Sequence, residues 1–450
     1  MTASAPRRHP PLPRTWAITG RDIAAALVGV GVIVVAMWAR HGGLSRDPVA
    51  GIGQVTGLLG TYLALVGVLA ASRAPWLDQT VGADRLAVVH RWTGFAVFWL
   101  LTAHVAFSSI AFAAAAHTGI VDDTISLVQT TPGMLGSIVG FGLFVLVTVT
   151  SIRYARRRVS YETWHALHLY AYLAIAFGFL HQLTVGTDFI TDPVAQVFWV
   201  GLYAVAILPL VIYRWLLPIA HFARHRFVVA NVVREAPDVV SVHIGGHDLS
   251  RFPVRSGQWF RLRFLTSDAW WRAHPYSLSA APDGRTLRFT LKALGDGSAG
   301  ARWIRPGTRV ILEGPYGAMH GGARRNKGFL LIAGGIGITP LRAILEGVRY
   351  DPGDVVLLYR ARGEGEIIFR HEIDVLAAHR GATVHYLVGP RGRTPASDPL
   401  GPASIAAMVP DVLSRDAFIC GPTGLMDLAS GSLRDLGVPE AHIHAERFAY

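Results

Sequence analysis

The chain has 450 residues, of which 51% are hydrophobic and only 16% are charged, and its formal net charge is +12. Such an apolar excess is unusual for a soluble protein, and because many arginines flank apolar segments while no nucleic-acid-binding module is recognisable, the positive charge does not indicate a nucleic-acid-binding protein. The single cysteine, Cys420, excludes an intramolecular disulfide bond, an iron–sulfur cluster held by four thiolates of this chain and a multi-cysteine zinc site.

Six apolar segments are long enough to cross a bilayer. They are Ile23–Ala39, Ile52–Ala71, Leu86–Ala116, Met134–Ile152, Tyr161–Leu183 and Val194–Leu217. The first could be a signal peptide, but it is long and has no small-x-small cleavage site before Arg40, so we interpret it as a retained span. The sequence therefore predicts an N-terminal tail over residues 1–21 and a six-helix transmembrane domain over residues 22–220.

Charged residues between these segments predict their orientation. The loop Arg153–Arg158 and the segment from Arg214 to Arg226 are strongly basic, whereas loops on the other side carry Asp122 and Asp188 with few basic residues. Basic loops stay on the cytoplasmic side of a membrane. We therefore expect a multi-pass protein of the plasma (cytoplasmic) membrane with both termini in the cytoplasm.

Two of the segments carry a histidine near each end. His90 and His104 are 14 residues apart, which on a helix is a rise of roughly 21 Å with side chains within about 40° of each other. His168 and His181 are 13 residues apart, a rise of roughly 20 Å that leaves their side chains roughly 140° apart. That helix must bend, or its ligands must approach it from different sides. His165 is a poorer match, at roughly 24 Å from His181.

Any one of these histidines could be an interfacial or core residue. Four at matched depths favour function, because polar residues within membrane segments are costly. Since both helices run outward, we predict a cytoplasmic-side pair of His90 with His168 and an outer-side pair of His104 with His181. Each pair could hold one b-type haem by both axial positions.

Beyond about His225 the pattern becomes that of a soluble protein. Short alternating strands, typical of a small antiparallel β-barrel over residues 221–325, are followed by strands that alternate with helices, which predicts a doubly wound parallel α/β domain over residues 326–450. The predicted strands are Phe227–Val233, Val239–Ile244, Trp259–Phe264, Leu287–Leu291 and Val310–Glu313 in the first domain, and Gly328–Ala333, Val355–Tyr359, Thr383–Leu387 and Ala417–Cys420 in the second.

A glycine-rich turn follows the strand that begins at Gly328 and leads into a helix near Pro340. Glycines there allow a backbone to approach a pyrophosphate, whose charge is met by the N–H groups of the helix N-terminus. On its own the turn could equally be a tight connection without a ligand.

Five motifs occur in an order that resembles ferredoxin-NADP reductase-like flavoproteins. They are His274-Pro-Tyr-Ser-Leu-Ser279, Leu291-Lys-Ala-Leu-Gly-Asp-Gly-Ser298, Glu313-Gly-Pro-Tyr-Gly317, Gly334-Gly-Ile-Gly-Ile-Thr-Pro340 and Cys420-Gly-Pro422. With the two histidine pairs, the chain from about residue 20 to its end resembles the NADPH oxidase and ferric reductase superfamily. His274-Pro275 stands where soluble reductases have an arginine, which resembles the membrane branch of that group.

The resemblance implies roles for individual residues. Those that would hold FAD are His274, Pro275, Tyr276, Ser277 and Ser279 around the flavin, and Lys292, Gly297 and Ser298 along the phosphates. Those that would hold the pyrophosphate of the nicotinamide cofactor are Gly334, Gly335, Gly337, Thr339 and Pro340. Cys420, Gly421 and Pro422 would lie near the nicotinamide, and Phe448, or alternatively Tyr450, would cover the flavin ring.

Arg360 and Arg362 follow a predicted strand at the place where the 2′-phosphate of NADPH would be met. Since guanidinium groups pair with phosphate through two parallel hydrogen bonds, they favour NADPH, with NADH as the alternative.

The resemblance thus implies a membrane oxidoreductase in which cytoplasmic NADPH reduces FAD, which reduces two b-type haems in turn and then an acceptor at the outer face. Oxygen, giving superoxide, and ferric chelates are the two expected acceptors. The alternative is an electron-transfer subunit that reduces a partner protein, although nothing in the sequence requires such a partner.

Overall fold

The computed structural model describes residues 19–45, 47–152, 158–159, 161–267, 270–292, 304–317, 319–323, 325–392, 394 and 397–446. Its internal contacts divide the chain into two compact units. One unit comprises the residues up to Gly67 together with Val89–Tyr203, and the other comprises Val68–Val88 together with Ala204 onwards.

In the described part of the chain, six helices are long and apolar enough to cross a membrane, which confirms the predicted spans in number and composition. The helices before the first strand are α1 (Gly20–Arg40), α2 (Pro48–Ala71), α3 (Pro75–Val81), α4 (Ala83–Ala116), α5 (Ile120–Thr130), α6 (Met134–Ser151), α7 (Tyr161–Val185), α8 (Thr187–Thr191), α9 (Pro193–Val211) and α10 (Leu217–His225). A π-helical turn, Ile212–Leu216, joins the last two. The short helices α3, α5 and α8 lie between spans and were not predicted, because they are too short to show a clear hydrophobic period.

Glycines allow close packing between membrane helices. Gly136 and Gly140 lie four residues apart on α6. A Cβ at Gly136 would lie 3.3 Å from Phe177 Cδ1 on α7, and one at Gly140 would lie 3.0 Å from Phe177 Cβ. Small residues at this spacing let two helix backbones approach each other. Large apolar side chains such as Val28 and Val197 stay exposed along the spans, as expected for surfaces that face lipid.

A partly buried chain of polar side chains links three helices of the first unit. Tyr203 on α9 donates a hydrogen bond to Gln182 Oε1 at 3.0 Å, and Gln182 Nε2 donates to Thr61 Oγ1 on α2 at 2.7 Å. Each polar atom named is therefore paired inside an apolar bundle, where an unpaired one would be costly.

The second unit begins its sheet structure with the antiparallel domain predicted from the alternating pattern. Strands β1 (Val228–Ala236), β2 (Val239–Gly245) and β5 (Thr286–Lys292) form one three-stranded sheet, and β4 (His274–Ser277), β3 (Trp259–Phe264) and β6 (Val310–Tyr316) form the other. Isolated bridges, Val228 with Arg309 and Leu278 with Phe289, connect them. The strand β4 was not predicted as a strand, because its sequence, His-Pro-Tyr-Ser, lacks a clear alternation.

The parallel α/β domain is confirmed as well. Its five-stranded sheet has the order β11 (Ile443–Ala445), β10 (Arg415–Cys420), β7 (Gly328–Gly334), β8 (Val355–Ala361) and β9 (Thr383–Val388). The helices of this domain are α11 (Ile338–Gly347), α12 (Arg370–Arg380), α13 (Pro402–Met408) and α14 (Thr423–Asp435). Strand β7 is buried on both faces, which explains its continuous apolar run. The three-residue edge strand β11 was too short to predict.

Arginines join the antiparallel domain to the α/β domain. Both Nη atoms of Arg288, on β5, lie 2.9 Å from the two carboxylate oxygens of Glu372 on α12. Arg342 Nε on α11 lies 2.9 Å from the same carboxylate. The carbonyl of Ser279 accepts hydrogen bonds from both arginines, at 2.7 Å and 3.1 Å. Buried charges are tolerated when they are paired and hydrogen-bonded in this way, so the network fixes the two domains to each other.

Candidate functional site

The structure brings His90 and His168 together. Their ring centroids are 5.8 Å apart and the rings are inclined at 70°. His90 Nδ1 lies 3.0 Å from the carbonyl oxygen of Gly67, and His168 Nδ1 lies 3.3 Å from Ser151 Oγ. The indole of Trp164 stacks on His168 with centroids 5.0 Å apart. We call His90 with His168 the inner pair and His104 with His181 the outer pair, after the predicted orientation. Both imidazoles of the inner pair are oriented by a partner at Nδ1.

The outer pair is held differently at its two members. His104 Nδ1 lies 2.8 Å from the carbonyl oxygen of Gly53 and 3.4 Å from Ser108 Oγ. His181, on α7, lies in the neighbourhood of His104. Yet His181 Nδ1 is shielded from solvent and has no hydrogen-bond partner among the residues that the structure describes. Among the described residues, only His104 of this pair has a hydrogen-bond partner at Nδ1.

Glycines of helix α2 pack against the face of α4 that carries the histidines. A Cβ at Gly57 would lie 2.6 Å from His104 Nδ1, and one at Gly60 would lie 2.9 Å from Leu101 Cδ2. Any side chain at Gly57 would therefore displace the imidazole. The glycines leave room for α4 and expose the backbone carbonyls that orient its histidines.

The ring separation of the inner pair is compatible with an iron held between the two imidazoles. Two metal–imidazole bonds of about 2 Å each, plus about 1 Å from each nitrogen to its ring centre, separate the centroids by about 6 Å. The observed 5.8 Å is close to that separation. No three His, Cys, Asp or Glu side chains converge on a metal site in the described part of the chain. A pair suffices for haem iron, because the porphyrin supplies the other four ligands.

The residues expected to hold the flavin lie on or beside β4. Tyr276 and Ser277 pair with Phe260 and Trp259 of β3. Ser279 Oγ accepts a hydrogen bond from Thr290 at 2.7 Å, and its carbonyl binds the two arginines of the domain junction. Ser279 is thus already engaged within the protein, whereas Tyr276 remains half-buried.

The remaining residues expected at FAD are less completely described. His274 and Pro275 pair with Leu262 and Arg261 of β3. Lys292 Nζ, at the end of β5, lies 3.5 Å from Asp238 Oδ2. Gly297 and Ser298 lie outside the described residues. The phosphate-binding assignment for these positions stays a prediction.

The glycines of the β7–α11 turn have separate roles. A Cβ at Gly337 would lie 2.2 Å from the carbonyl oxygen of Cys420, and one at Gly334 would lie 2.6 Å from Leu425 Cδ1. These two glycines permit close packing against β10 and α14. Gly335 has φ +53°, and a Cβ there would meet nothing within 4 Å. Gly335 therefore lies on the open side of the turn, where a pyrophosphate could approach.

Two further residues expected at this turn are structural in part. Thr339 is buried and its Oγ1 donates a hydrogen bond to the carbonyl of Ile336 at 3.0 Å. Pro340 lies in the buried first turn of α11, where a missing N–H costs nothing. The turn is thus built to hold the N-terminus of α11 in one position.

Cys420 ends β10 beside a carboxylate that sequence reasoning missed. Burial and the neighbouring Glu446 raise the pKa of the Cys420 thiol, which keeps the sulfur protonated. Glu446 Oε1 accepts a hydrogen bond from the Met319 N–H at 2.9 Å. Glu446 precedes Phe448, an expected flavin-covering residue, by two positions, and this proximity was the feature of the sequence that could have indicated it. Phe448 and Tyr450 themselves lie outside the described residues.

Gly421 and Pro422 connect Cys420 to α14. A Cβ at Gly421 would lie 3.1 Å from Gly334 Cα, so the two glycine-containing turns contact each other directly. Pro422 immediately precedes the first residue of α14. This juxtaposition places the ends of β7 and β10 at one edge of the sheet, where open α/β sheets bind their ligands.

Arg360, within β8, and Arg362, just after it, differ in how accessible their guanidinium groups are. Arg360 is buried, and its guanidinium donates to the carbonyl oxygens of Leu387, Gly389 and Pro390 at 2.6–2.7 Å. By contrast, the Arg362 side chain is 89% exposed, and its Nε lies 3.8 Å from Glu366. Arg360 supports the turn after β9, and Arg362 is the one accessible to a ligand.

Comparison with known proteins gives two family matches. Residues 56–179 match the family described as ferric reductase like transmembrane component. This range includes three of the four paired histidines, and His181 lies just beyond it. Residues 331–431 match the oxidoreductase NAD-binding domain. The chain joins a ferric reductase-like transmembrane domain to an NAD-binding oxidoreductase domain.

Relatives that match about half of the chain include reductase components. It is 35% identical over 235 residues to the ferredoxin reductase component of 3-ketosteroid-9-alpha-monooxygenase from Mycolicibacterium smegmatis, a match that covers 49% of the chain and 64% of the relative. It is 29% identical over 234 residues to a flavohemoprotein of Burkholderia sp. (strain TH2), covering 49% and 58%. The chain thus spans less than two thirds of the length of these relatives.

Among solved structures, a ferredoxin NADP+ reductase from Neisseria gonorrhoeae with bound FAD and NADP is 22% identical with a TM-score of 0.43. The match covers 50% of this chain and 98% of that one. The two family matches thus place a ferric reductase-like transmembrane component and an NAD-binding oxidoreductase domain in one chain.

Proposed function

We propose that the protein carries electrons from cytoplasmic NADPH through FAD and two b-type haems to an acceptor at the outer face of the plasma membrane. The observation that carries this proposal is the pair of imidazoles at His90 and His168, 5.8 Å apart, inside a domain that matches ferric reductases. An NAD-binding domain in the same chain supplies the entry point for electrons.

The division of labour follows from the chemistry of the cofactors. When bound, FAD and haem supply the redox steps, since a flavin takes up the two electrons of a hydride together and passes them on singly, whereas haem iron accepts one at a time. The open side of Gly335 would admit the pyrophosphate of NADPH. Tyr276, on β4, would lie beside the flavin ring. Each histidine pair, His90 with His168 and His104 with His181, would hold one haem iron, and that haem would supply one-electron transfer.

The coenzyme preference is proposed to depend on Arg362. Its exposed guanidinium follows β8 at the carboxyl edge of the sheet, where it can pair with the 2′-phosphate of NADPH. Arg360 supports that edge indirectly through its bonds to the turn after β9. NADH use would then depend on contacts other than these.

The proposed acceptor is oxygen or a ferric chelate. Because NADPH gives up two electrons and each of these acceptors takes one, two acceptor molecules are reduced for each NADPH oxidised. A second candidate is a partner protein, which the relatives named as ferredoxin reductase components favour. Cytochrome c reduction with and without superoxide dismutase separates these acceptors, because inhibition by the dismutase indicates superoxide.

The decisive experiment is haem analysis of the purified full-length protein. The pyridine haemochrome assay should give two b-type haems per chain, and NADPH added without oxygen should reduce both. His104→Ala and His181→Ala should each leave one haem. The matched control is His117→Asn at an exposed position with φ +54°, which asparagine tolerates. Fewer than two haems in the unaltered protein, or two haems in both His104→Ala and His181→Ala, would refute the proposal.

A further inference from the structure

We propose that hydrogen bonds to the histidine Nδ1 atoms set the two haem sites at different reduction potentials, with the outer site the more easily reduced. This inference rests on the proposed function, because it presumes that both pairs bind haem. It assigns to Ser151 and to the unpartnered Nδ1 of His181 a role in the direction of electron flow.

At the inner pair, both imidazoles have an acceptor. An imidazole that binds iron through Nε2 carries its proton on Nδ1, so that Nδ1 must donate. His90 then donates to the Gly67 carbonyl at 3.0 Å, and His168 donates to Ser151 Oγ at 3.3 Å. Ser151 Oγ also accepts from Trp164 Nε1 at 3.3 Å, which leaves its own proton pointing elsewhere.

At the outer pair, only one imidazole has an acceptor. His104 donates to the Gly53 carbonyl at 2.8 Å. His181 Nδ1 has neither solvent nor a described residue to accept its proton. The contrast between the two pairs is therefore one missing hydrogen bond, located on α7 at the outer site.

This difference has a predictable electronic effect. An acceptor at the distal ring nitrogen makes an imidazole a more basic ligand, and a more basic ligand stabilises ferric iron over ferrous iron. The inner site has two such ligands and the outer site has one. The outer haem is therefore expected to have the higher reduction potential, so the transfer of an electron from the inner to the outer haem lowers the free energy.

The test is a spectroscopic redox titration of the full-length protein in lipid nanodiscs. We expect two components, with the outer haem at the higher potential. Gly57→Ala identifies the outer component, because the added Cβ would crowd His104 at 2.6 Å and would change or remove that component alone.

Ser151→Ala provides the matched perturbation. It removes the acceptor of His168, and the inner component should shift towards higher potential while the outer one stays in place. Thr150→Val is the control, because the Thr150 hydroxyl donates only to the carbonyls of Leu146 and Val147 in its own helix. Should Ser151→Ala fail to accumulate, Ser151→Cys, with a weaker acceptor, should give a smaller shift in the same direction.

The outcomes separate the two proposals. Three results would overturn this inference while leaving the proposed function intact. They are two haems that titrate at one potential, an outer haem at the lower potential, and an inner component that Ser151→Ala does not shift. Absence of the second haem would overturn both.

Discussion

The imidazole of His104 is oriented by the backbone of another helix, since its Nδ1 lies 2.8 Å from the carbonyl oxygen of Gly53. His90 and Gly67 repeat the relationship at 3.0 Å. The two glycines are separated by 14 residues along α2, and so are the two histidines along α4. Antiparallel helices with equal spacings bring both contacts into register at once. The acceptors are main-chain atoms, so substitutions can disturb them only through helix packing.

Gly57→Ala should disrupt the outer histidine pair selectively. The added Cβ would lie 2.6 Å from His104 Nδ1, and overpacking of this kind costs about 1–3 kcal/mol. We expect the haem content to fall from two towards one per chain in the pyridine haemochrome assay. Gly142→Ala, at a span position where a Cβ meets nothing within 4 Å, is the control and should retain two haems. Equal haem content in both variants would contradict the assigned geometry.

Arg362→Ala should weaken NADPH binding without affecting NADH. Loss of a charge-assisted hydrogen bond of about 1.5–3 kcal/mol corresponds to a rise in the KM for NADPH of about 10- to 100-fold. Steady-state reduction of ferricyanide with each coenzyme measures the effect. Arg349→Ala, between α11 and β8 at the opposite edge of the sheet, should change neither KM. A parallel rise for NADH would show that Arg362 does not contact the 2′-phosphate.

His320 should make the folded protein sensitive to acid. Burial, with the charges of Arg255 and His444, lowers the pKa of His320 from 6.5 to about 4. Below pH 6.5 the unfolded chain therefore binds a proton that the folded chain does not. Stability is lost as the pH falls from 6.5 to about 4, at about 1.4 kcal/mol per pH unit, or about 2 kcal/mol by pH 5.

Melting temperatures at pH 7.5 and 5.0, measured by flavin release, test this expectation. His320→Asn keeps an acceptor for the Gly322 N–H, which His320 Nδ1 accepts at 3.1 Å, but removes the titrating group. The variant should lose less stability at pH 5.0 than the unaltered protein. His371→Asn, on the exposed surface of α12, should behave like the unaltered protein. Identical acid sensitivity in all three proteins would rule out His320 as the cause.

Glu372→Gln should loosen the junction between the antiparallel and α/β domains. The side chains of Arg288 and Arg342 are 9% and 7% exposed, and they would lose the carboxylate they share. Because Glu372 itself is 37% exposed and partly screened by water, we expect a loss of about 1–3 kcal/mol. Glu440→Gln, in an exposed pair with Arg434, is the control and should change the melting temperature little.

The effect of Glu372→Gln should also depend on pH. Burial favours the protonated carboxyl, but hydrogen bonds and charges from Arg288 and Arg342 outweigh it and lower the pKa of Glu372 below 4.5. Its stabilising contribution is therefore present above pH 4.5 and is lost as the pH falls further. The difference in melting temperature between Glu372→Gln and the unaltered protein should shrink below pH 4.5, and a constant difference would argue against an ionic contribution.

The sequence by itself determined the features that depend on neighbours along the chain. Apolar length predicted six spans, alternation predicted the antiparallel strands, and the glycine-rich turn after Gly328 predicted a nucleotide-binding edge. Histidine spacing placed His90 and His104 at two depths of one helix. Helix rise and strand pleat convert these local distances directly into geometry.

Only the tertiary structure decided how distant residues meet. It showed that Gly53 and Gly67 supply acceptors to histidines 51 and 23 residues away, and that His181 Nδ1 has none among the described residues. It also showed that Arg360 supports a turn while Arg362 stays exposed. Such contacts depend on helix rotation and strand register, which arise from the packing of whole elements, so no local pattern in the sequence encodes them.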